Sequence, residues 1–221
     1  MTGVFLQVRL DSRRLPEKAL AELGGLTLLE RCCRALNPIP CRVKAVLTEP
    51  GSADRLRPLV DSCGWKLFVG PKEDVLTRFT LAAQELGVSR IVRATGDNPL
   101  VNATLATLML NDPQAAVSAY AAWQGAPLGT GVEILQTSAL LDARSSNPTL
   151  EEQEHVAPHL YHHPERFAPY RPEVPTSWRS SGRVTVDTLE DLAWVRTLWQ
   201  ALGTSAYEIE TLVGWLETHP R

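Results

Sequence analysis

The sequence predicts an α/β protein, a mostly parallel sheet with helices on both faces. Three observations carry this. Short apolar runs alternate with helical patterns through the first half of the chain. Acids and glycines stand where those helices would start and stop. The resulting β-α-β-α-β-α-β order needs crossover connections, which make neighbouring strands parallel.

Taken in order, VFLQV (4–8) reads as the first strand, and LTLLERCCRAL (26–36) as an amphipathic helix after the Gly24-Gly25 turn. RVKAVLT (42–48) is a second strand, and SADRLRPLVDSCG (52–64) a helix closed by Gly64. WKLFVG (65–70) is the third strand, EDVLTRFTLAAQELG (73–87) a helix, SRIVRAT (89–95) the fourth strand and ATLATLML (103–110) a further helix. From about residue 112 the pattern is irregular. AAVSAY (115–120) and GVEIL (131–135) read as strands, and TLEEQEHVAPHLYHH (149–163) as a helix despite Pro158. A proline-rich connection (164–177) leads to RVTVDT (183–188), read as a strand, and to closing helices over 190–202 and 207–219. No composition break divides the chain, so residues 1–221 are taken as one domain with 112–177 as an irregular subregion.

The chain is 221 residues long with a net charge of −3. That length buries roughly 70% of the unfolded surface without a disulfide or metal staple. The charge argues against bulk nucleic-acid binding while allowing a local basic pocket. No run of 18 apolar residues predicts a membrane span, and MTGVFLQV lacks the basic start and length of a signal peptide. The four cysteines form no C-x-x-C, which reads as free thiols in a reducing compartment. The expected location is the cytoplasm.

In an open parallel sheet, ligands gather beyond the carboxyl ends of strands. Two loops fall there. DSRRLPEK (11–18), with Arg9 upstream, offers the cations that a phosphate chain needs, with Ser12 as a hydroxyl donor; it is no Walker A loop, and a solvated charged loop is the alternative. In ATGDNPL (94–100), Asp97 follows a strand and a glycine, a placement suited to a magnesium carboxylate. It would equally serve as a cap for helix 102–111 or a turn residue before Pro99. In VTVDTLED (184–191), Asp187 ends an apolar run and stands either as a second metal carboxylate or as a helix N-cap.

QVRLDSRRLPEKAL (7–20) resembles the Q-A-R-x-G-S-T-R-L-P-G-K-x-L signature of bacterial cytidylyltransferases of the spore-coat-polysaccharide type. These are similar to the synthetases that activate 3-deoxy-manno-octulosonate and the acylneuraminates. The resemblance continues through residues 70–101, GVEIL, EQEHVAPHLY (152–161) and RVTVDTLEDL (183–192), in the family's order. It implies a Rossmann-like nucleotidyltransferase fold and transfer of CMP from CTP to a sugar or sugar acid, with Mg²⁺ as cofactor. By matching positions, Arg9, Ser12, Arg14 and Lys18 would hold the triphosphate, with Arg14 and Lys18 neutralising the leaving group. Asp97 and Asp187 would hold Mg²⁺. Asp74 and Arg78 would border the nucleotide, and Glu133, Glu154 and His155 would face the acceptor. A homodimer is a further implication.

Four positions depart from the signature. Asp11 and Glu17 replace glycines, Arg13 a threonine and Gln153 an arginine. A carboxylate 4 Å from a phosphate charge costs roughly 4 kcal/mol at an effective dielectric of about 20, unless it meets a cation. Arg13 is the expected partner. His155, His159, His162 and His163 match no zinc spacing, which reads against metal ligation. Trp194 and Trp199 are expected to pack a helix onto the core. Besides CTP-dependent sugar activation, two readings stay open: a nucleotidyltransferase using another nucleotide or an alcohol-phosphate acceptor, and a nucleotide-binding protein without turnover.

Overall fold

The computed structural model describes residues 1–220. Strand β1 (Thr2–Gln7) is followed by a small hairpin of β2 (Glu22–Leu23) and β3 (Leu26–Thr27). The chain then alternates through α1 (Leu28–Leu36), β4 (Val43–Thr48), α2 (Pro50–Ser62), β5 (Lys66–Val69), α3 (Val75–Glu85) and β6 (Arg90–Thr95). Next come α4 (Ala103–Asn111), α5 (Pro113–Val117), β7 (Tyr120–Ala121), β8 (Glu133–Gln136) and α6 (Thr137–Ser145). Three short helices, α7 (Leu150–His155), α8 (Pro158–His162) and α9 (Pro164–Phe167), precede the closing pair α10 (Leu189–Leu202) and α11 (Ile209–Thr218).

The main sheet has the order β5-β4-β1-β6-β8-β7. β5, β4, β1 and β6 are parallel, and β8 runs antiparallel to both β6 and β7. The mostly parallel sheet covered by helices is therefore as expected. Alternate residues feed opposite faces. Val4 and Leu6 of β1 join α1 and α2 in one core, while Phe5 joins α3, α6 and α8 in another. A third cluster closes over α10 and α11, with Val184 and Val186 beneath them. From β1 the chain steps outward to β4 and β5, then returns across β1 to lay β6 on its other side. The strand order thus reverses between β1 and β6, and the crevice at their carboxyl ends is the place such a sheet offers a ligand.

The irregular half differs from expectation in three places. Residues 115–117 belong to helix α5, because Asp112 caps it through Gln114 and Ala115 and Pro113 presets its first turn; only Tyr120–Ala121 is strand. The helix expected over 149–163 breaks at Val156, where φ is 72° and the Ala157 N–H donates to the His155 carbonyl at 2.9 Å, closing a γ-turn. Residues 183–188 form no regular strand. They run extended along the sheet's end, with Val184 N–H donating to Leu128 and Val186 N–H to Asp97. Among the described residues no helix is long and apolar enough to cross a membrane. All four cysteines are free thiols, Cys32 and Cys33 buried, Cys41 and Cys63 half-buried. Trp199 stacks under the Arg31 guanidinium, and Trp194 meets Trp215 edge-on, both against the third core cluster.

Candidate active site

The crevice is floored by the loop after β6. Gly96 donates its N–H to the Gln7 carbonyl at 2.9 Å, so the chain stays in contact with β1 beyond its last paired residue. A Cβ at Gly96 would stand 2.9 Å from a Val8 methyl, and only glycine allows this approach. The turn that follows sets Asp97 above the sheet, where one carboxylate oxygen accepts a hydrogen bond from the Thr95 hydroxyl. Asn102, rather than Asp97, caps α4. A similar division of labour frees Asp187. Thr188 and Asp191 form the capping box of α10, and Asp191 also accepts the Asp187 N–H at 2.8 Å, leaving the Asp187 carboxylate to the crevice.

Loop 9–18 closes over these two acids. Its base is tied down by Leu10 N–H to the Ser52 hydroxyl (3.0 Å) and by Glu17 N–H to the Leu10 carbonyl (2.8 Å). Its exit is a 3-10 turn, Lys18–Leu20, and Lys18 extends inward from it with a side chain only 13% exposed. The Lys18 ammonium sits 2.9 Å from Asp187 Oδ1 and 3.6 Å from Asp97 Oδ2, and donates to the Val186 carbonyl at 2.9 Å. Arg14 reaches Asp187 Oδ1 at 3.0 Å, and Arg183 reaches its other oxygen at 2.5 Å. Burial pushes the Asp187 carboxyl up, but Lys18, Arg14 and Arg183 outweigh it and hold the group below its ordinary range. Ser12 is half-buried within the loop.

The signature-breaking acids face away from this node. Glu17 adopts a left-handed conformation (φ 59°), as a glycine there would, and makes a two-pronged pair with Arg55 of α2. Asp11 pairs with Lys72 at 2.7 Å and lies 3.7 Å from Arg9. Arg13 is exposed and takes part in neither pair, contrary to expectation. The compensation comes instead from α2 and from the loop after β5, two segments that sequence order gives no reason to connect with 9–18.

Asp74 and Arg78 shape that β5–α3 loop. Asp74 is the N-cap of α3, accepting the Thr77 N–H at 2.8 Å and the Thr77 hydroxyl at 2.6 Å. Arg78 is 1% exposed and donates to the carbonyls of Pro71 and Lys72. Burial lowers its pKa from an already extreme value and leaves it a cation. Both side chains are thus committed to bracing the loop that carries Lys72.

Two clefts adjoin the node. One, of about 350 Å³, is lined by Arg14 and Arg183, partners of Asp187, with Thr188 and Asp191. The other, of about 250 Å³, contains the Asp97 neighbours Thr95 and Asn98 and extends past Trp123 to Arg93 and Glu133. Glu133 stands directly opposite Arg93 in the β6–β8 register and forms an ion pair with it. It also accepts the Tyr120 hydroxyl at 3.1 Å. Glu154, at the end of α7, approaches Arg9 at 3.8 Å, and the neighbouring His155 is exposed. The loop and the acceptor-side helix therefore meet, while Glu133 occupies a separate wall. Sequence reasoning missed Arg183, Arg55, Lys72 and Arg93. Only Arg93 carried a signal, a charge inside an otherwise apolar strand.

Mostly parallel strands, helices on both faces and an ion cluster at the strand-order reversal define a Rossmann-like nucleotidyltransferase fold. The family model for cytidylyltransferases matches residues 4–205. The chain belongs to the cytidylyltransferase family. It is 32% identical over 224 residues to the spore coat polysaccharide biosynthesis protein SpsF of Bacillus subtilis, covering 95% of this chain and 92% of that protein. Among solved structures, a cytidylyltransferase from Leptospira borgpetersenii superposes with a TM-score of 0.88 at 25% identity, over 99% of this chain and 94% of that one. The CMP:2-keto-3-deoxy-manno-octonic acid synthetase solved with CTP gives 0.67 at 17% identity, over 90% and 98%, a likeness of fold.

Proposed function

We propose that the protein transfers CMP from CTP to a hydroxyl of a sugar or sugar acid, releasing pyrophosphate, as an activation step in surface polysaccharide synthesis. The observation that carries this reading is the convergence of Lys18, Arg14, Asp97 and Asp187 at the reversal of strand order. Family membership supports the reaction type, and the name of the Bacillus relative supports the pathway class.

In this reading Arg9, Ser12, Arg14 and Lys18 hold the triphosphate. The acceptor hydroxyl gives up its proton to solvent as its oxygen attacks the α-phosphorus in line, the bond to the β-phosphate oxygen breaks, and pyrophosphate departs with the electron pair. Arg14 and Lys18 neutralise the charge growing on it. Asp97 and Asp187 would hold a divalent cation, Mg²⁺ being the hard ion that two carboxylates and phosphate oxygens suit. Their fit to a cation rests on an observation: both carboxylates already converge on one ammonium. A bound dication would offset the negative charge of the phosphate oxygens. Glu133, Glu154 and His155 face the acceptor, with Asp74 and Arg78 holding the loop beside the nucleotide. Consumption of a nucleoside triphosphate supports a cytoplasmic location.

A protein that binds nucleotide without turnover is the weaker reading. It leans on the repulsion expected from Asp11 and Glu17, and both carboxylates are directed onto cations outside the node. Pyrophosphate release should be measured from CTP, ATP, GTP and UTP against sugars, sugar acids and alcohol phosphates. Release with CTP and a sugar-type acceptor is expected. Preference for another nucleotide, or tight CTP binding with no release on any acceptor, would sink the proposal.

A further inference from the structure

The γ-turn at Val156 does more than interrupt a helix. It folds the chain so that Glu152, before the break, faces His159, after it, with Glu152 Oε1 2.9 Å from His159 Nδ1. His163 is one turn further on, and its ring centroid lies 4.6 Å from that of His159. One donor atom from each of the three residues lies within 4.8 Å of the others. We propose that Glu152, His159 and His163 form a binding site for a transition-metal dication, with zinc(II) the ion this donor set suits.

The carboxylate is held in place before any ion arrives. Its other oxygen accepts the Thr149 N–H at 2.8 Å and the Thr149 hydroxyl at 3.0 Å in the capping box of α7. His159 is 6% exposed and in edge contact with Phe167, so its ring is fixed as well. Its Nε2 is buried and has no hydrogen-bond partner, so the protein alone leaves this imidazole half-satisfied. His163 is exposed, its Nδ1 3.6 Å from Glu165 Oε1, and would give up that contact to close the final distance, since zinc with bonds near 2.0 Å wants donor atoms roughly 3.3 Å apart. Solvent supplies the remaining coordination position.

Two imidazoles and one carboxylate make a borderline-soft set that favours zinc over magnesium or calcium. The hard-ion candidates Asp97 and Asp187 belong to a different part of the fold. The ion's role here is structural. Helices α7, α8 and α9 span six, five and four residues, too short to be stable by themselves. A metal joined to α7, to α8 and to the residue that opens α9 staples all three. It thereby also fixes Glu154 beside Arg9.

The test uses the full chain, stripped with chelator and carrying Asp97→Asn and Asp187→Asn to remove the competing hard-ion site. Zinc affinity is measured by competition with a chromophoric chelator, and Co²⁺ is added to read ligand-field absorption. In this background one zinc should bind per chain and raise the Tm. Adding His163→Ala, a change at an exposed residue, should weaken zinc at least about tenfold and abolish the Tm shift. Glu152→Gln should do the same while far-UV circular dichroism stays unchanged. Equal zinc affinity with and without His163, or no binding tighter than about 100 μM in the background protein, would overturn the assignment.

Discussion

The ion cluster around Asp187 and the wall around Glu133 are both built of paired, partly buried charge, but by different means. Around Asp187, Lys18 and Arg14 from loop 9–18 and Arg183 from four residues upstream converge on one carboxylate, with Asp97 sharing Lys18. Around Glu133, the partners are set by strand register, with Arg93 opposite on β6 and Tyr120 on the adjoining strand. The first arrangement balances Lys18, Arg14 and Arg183 against Asp97, Asp187 and Asp191, and Arg14 and Arg183 line a cleft. The second adds the Arg171 guanidinium, stacked on the Tyr120 and Tyr161 rings, to the Arg93–Glu133 pair, so a cation and aromatic faces line that wall. In the proposed reaction the first end would receive the triphosphate and the second the acceptor.

The largest effect should come from Lys18. Lys18→Ala is expected to lower kcat by about 10²–10³, the loss typical of one preorganised electrostatic donor, in a steady-state pyrophosphate assay. Turnover near that of the wild type would remove Lys18 from the chemistry. On the opposite wall, Glu133→Gln should act on the acceptor alone, raising its KM by roughly tenfold and leaving the CTP Kd unchanged. An equal effect on CTP would erase the distinction between the two ends.

A smaller effect concerns stability. The Asp187 carboxyl is held below its ordinary range in the folded state, so its contribution is present above the unfolded carboxylate pKa and is lost as pH falls through the lower folded value. Asp187→Asn should therefore cost about 1–2 kcal/mol at pH 7, less than a fully buried pair because the node is partly open. The Tm gap from wild type should close as pH falls from about 5 to 2; a gap constant over that range would mean that Asp187 is not charged in the fold. The smallest effect is expected at Glu17. Glu17→Gly relieves a left-handed side-chain residue while giving up an exposed ion pair, and should leave the Tm within about 2 °C of the wild type. A loss several times larger would make the Arg55 contact essential to the loop.

The parallel half of the fold was legible in the sequence because its strands and helices are specified locally, by apolar runs and caps. Asp97 and Asp187 stood out for the same reason: each ends an apolar run at a sheet edge. Their freedom from capping was not legible, since Asn102, Thr188 and Asp191 are equally good caps by residue type. The partners of Asp11 and Glu17 were misread because Lys72 and Arg55 come close only through tertiary packing. The break at Val156 was hidden because a β-branched residue gives no warning of positive φ, and a continuous helix seemed natural there. That misreading also concealed the grouping of Glu152 with His159.

In the proposed reaction Asp97 and Asp187 would join a divalent cation to the nucleotide beside Lys18. Calorimetric titration of CTP with and without Mg²⁺, on the wild type and on the Asp97→Asn/Asp187→Asn double variant, tests it directly. Mg²⁺ should tighten CTP binding to the wild type at least about tenfold, within the usual span of site-to-site coupling, and should add nothing in the double variant. The same Mg²⁺-dependent gain in both proteins would contradict the account.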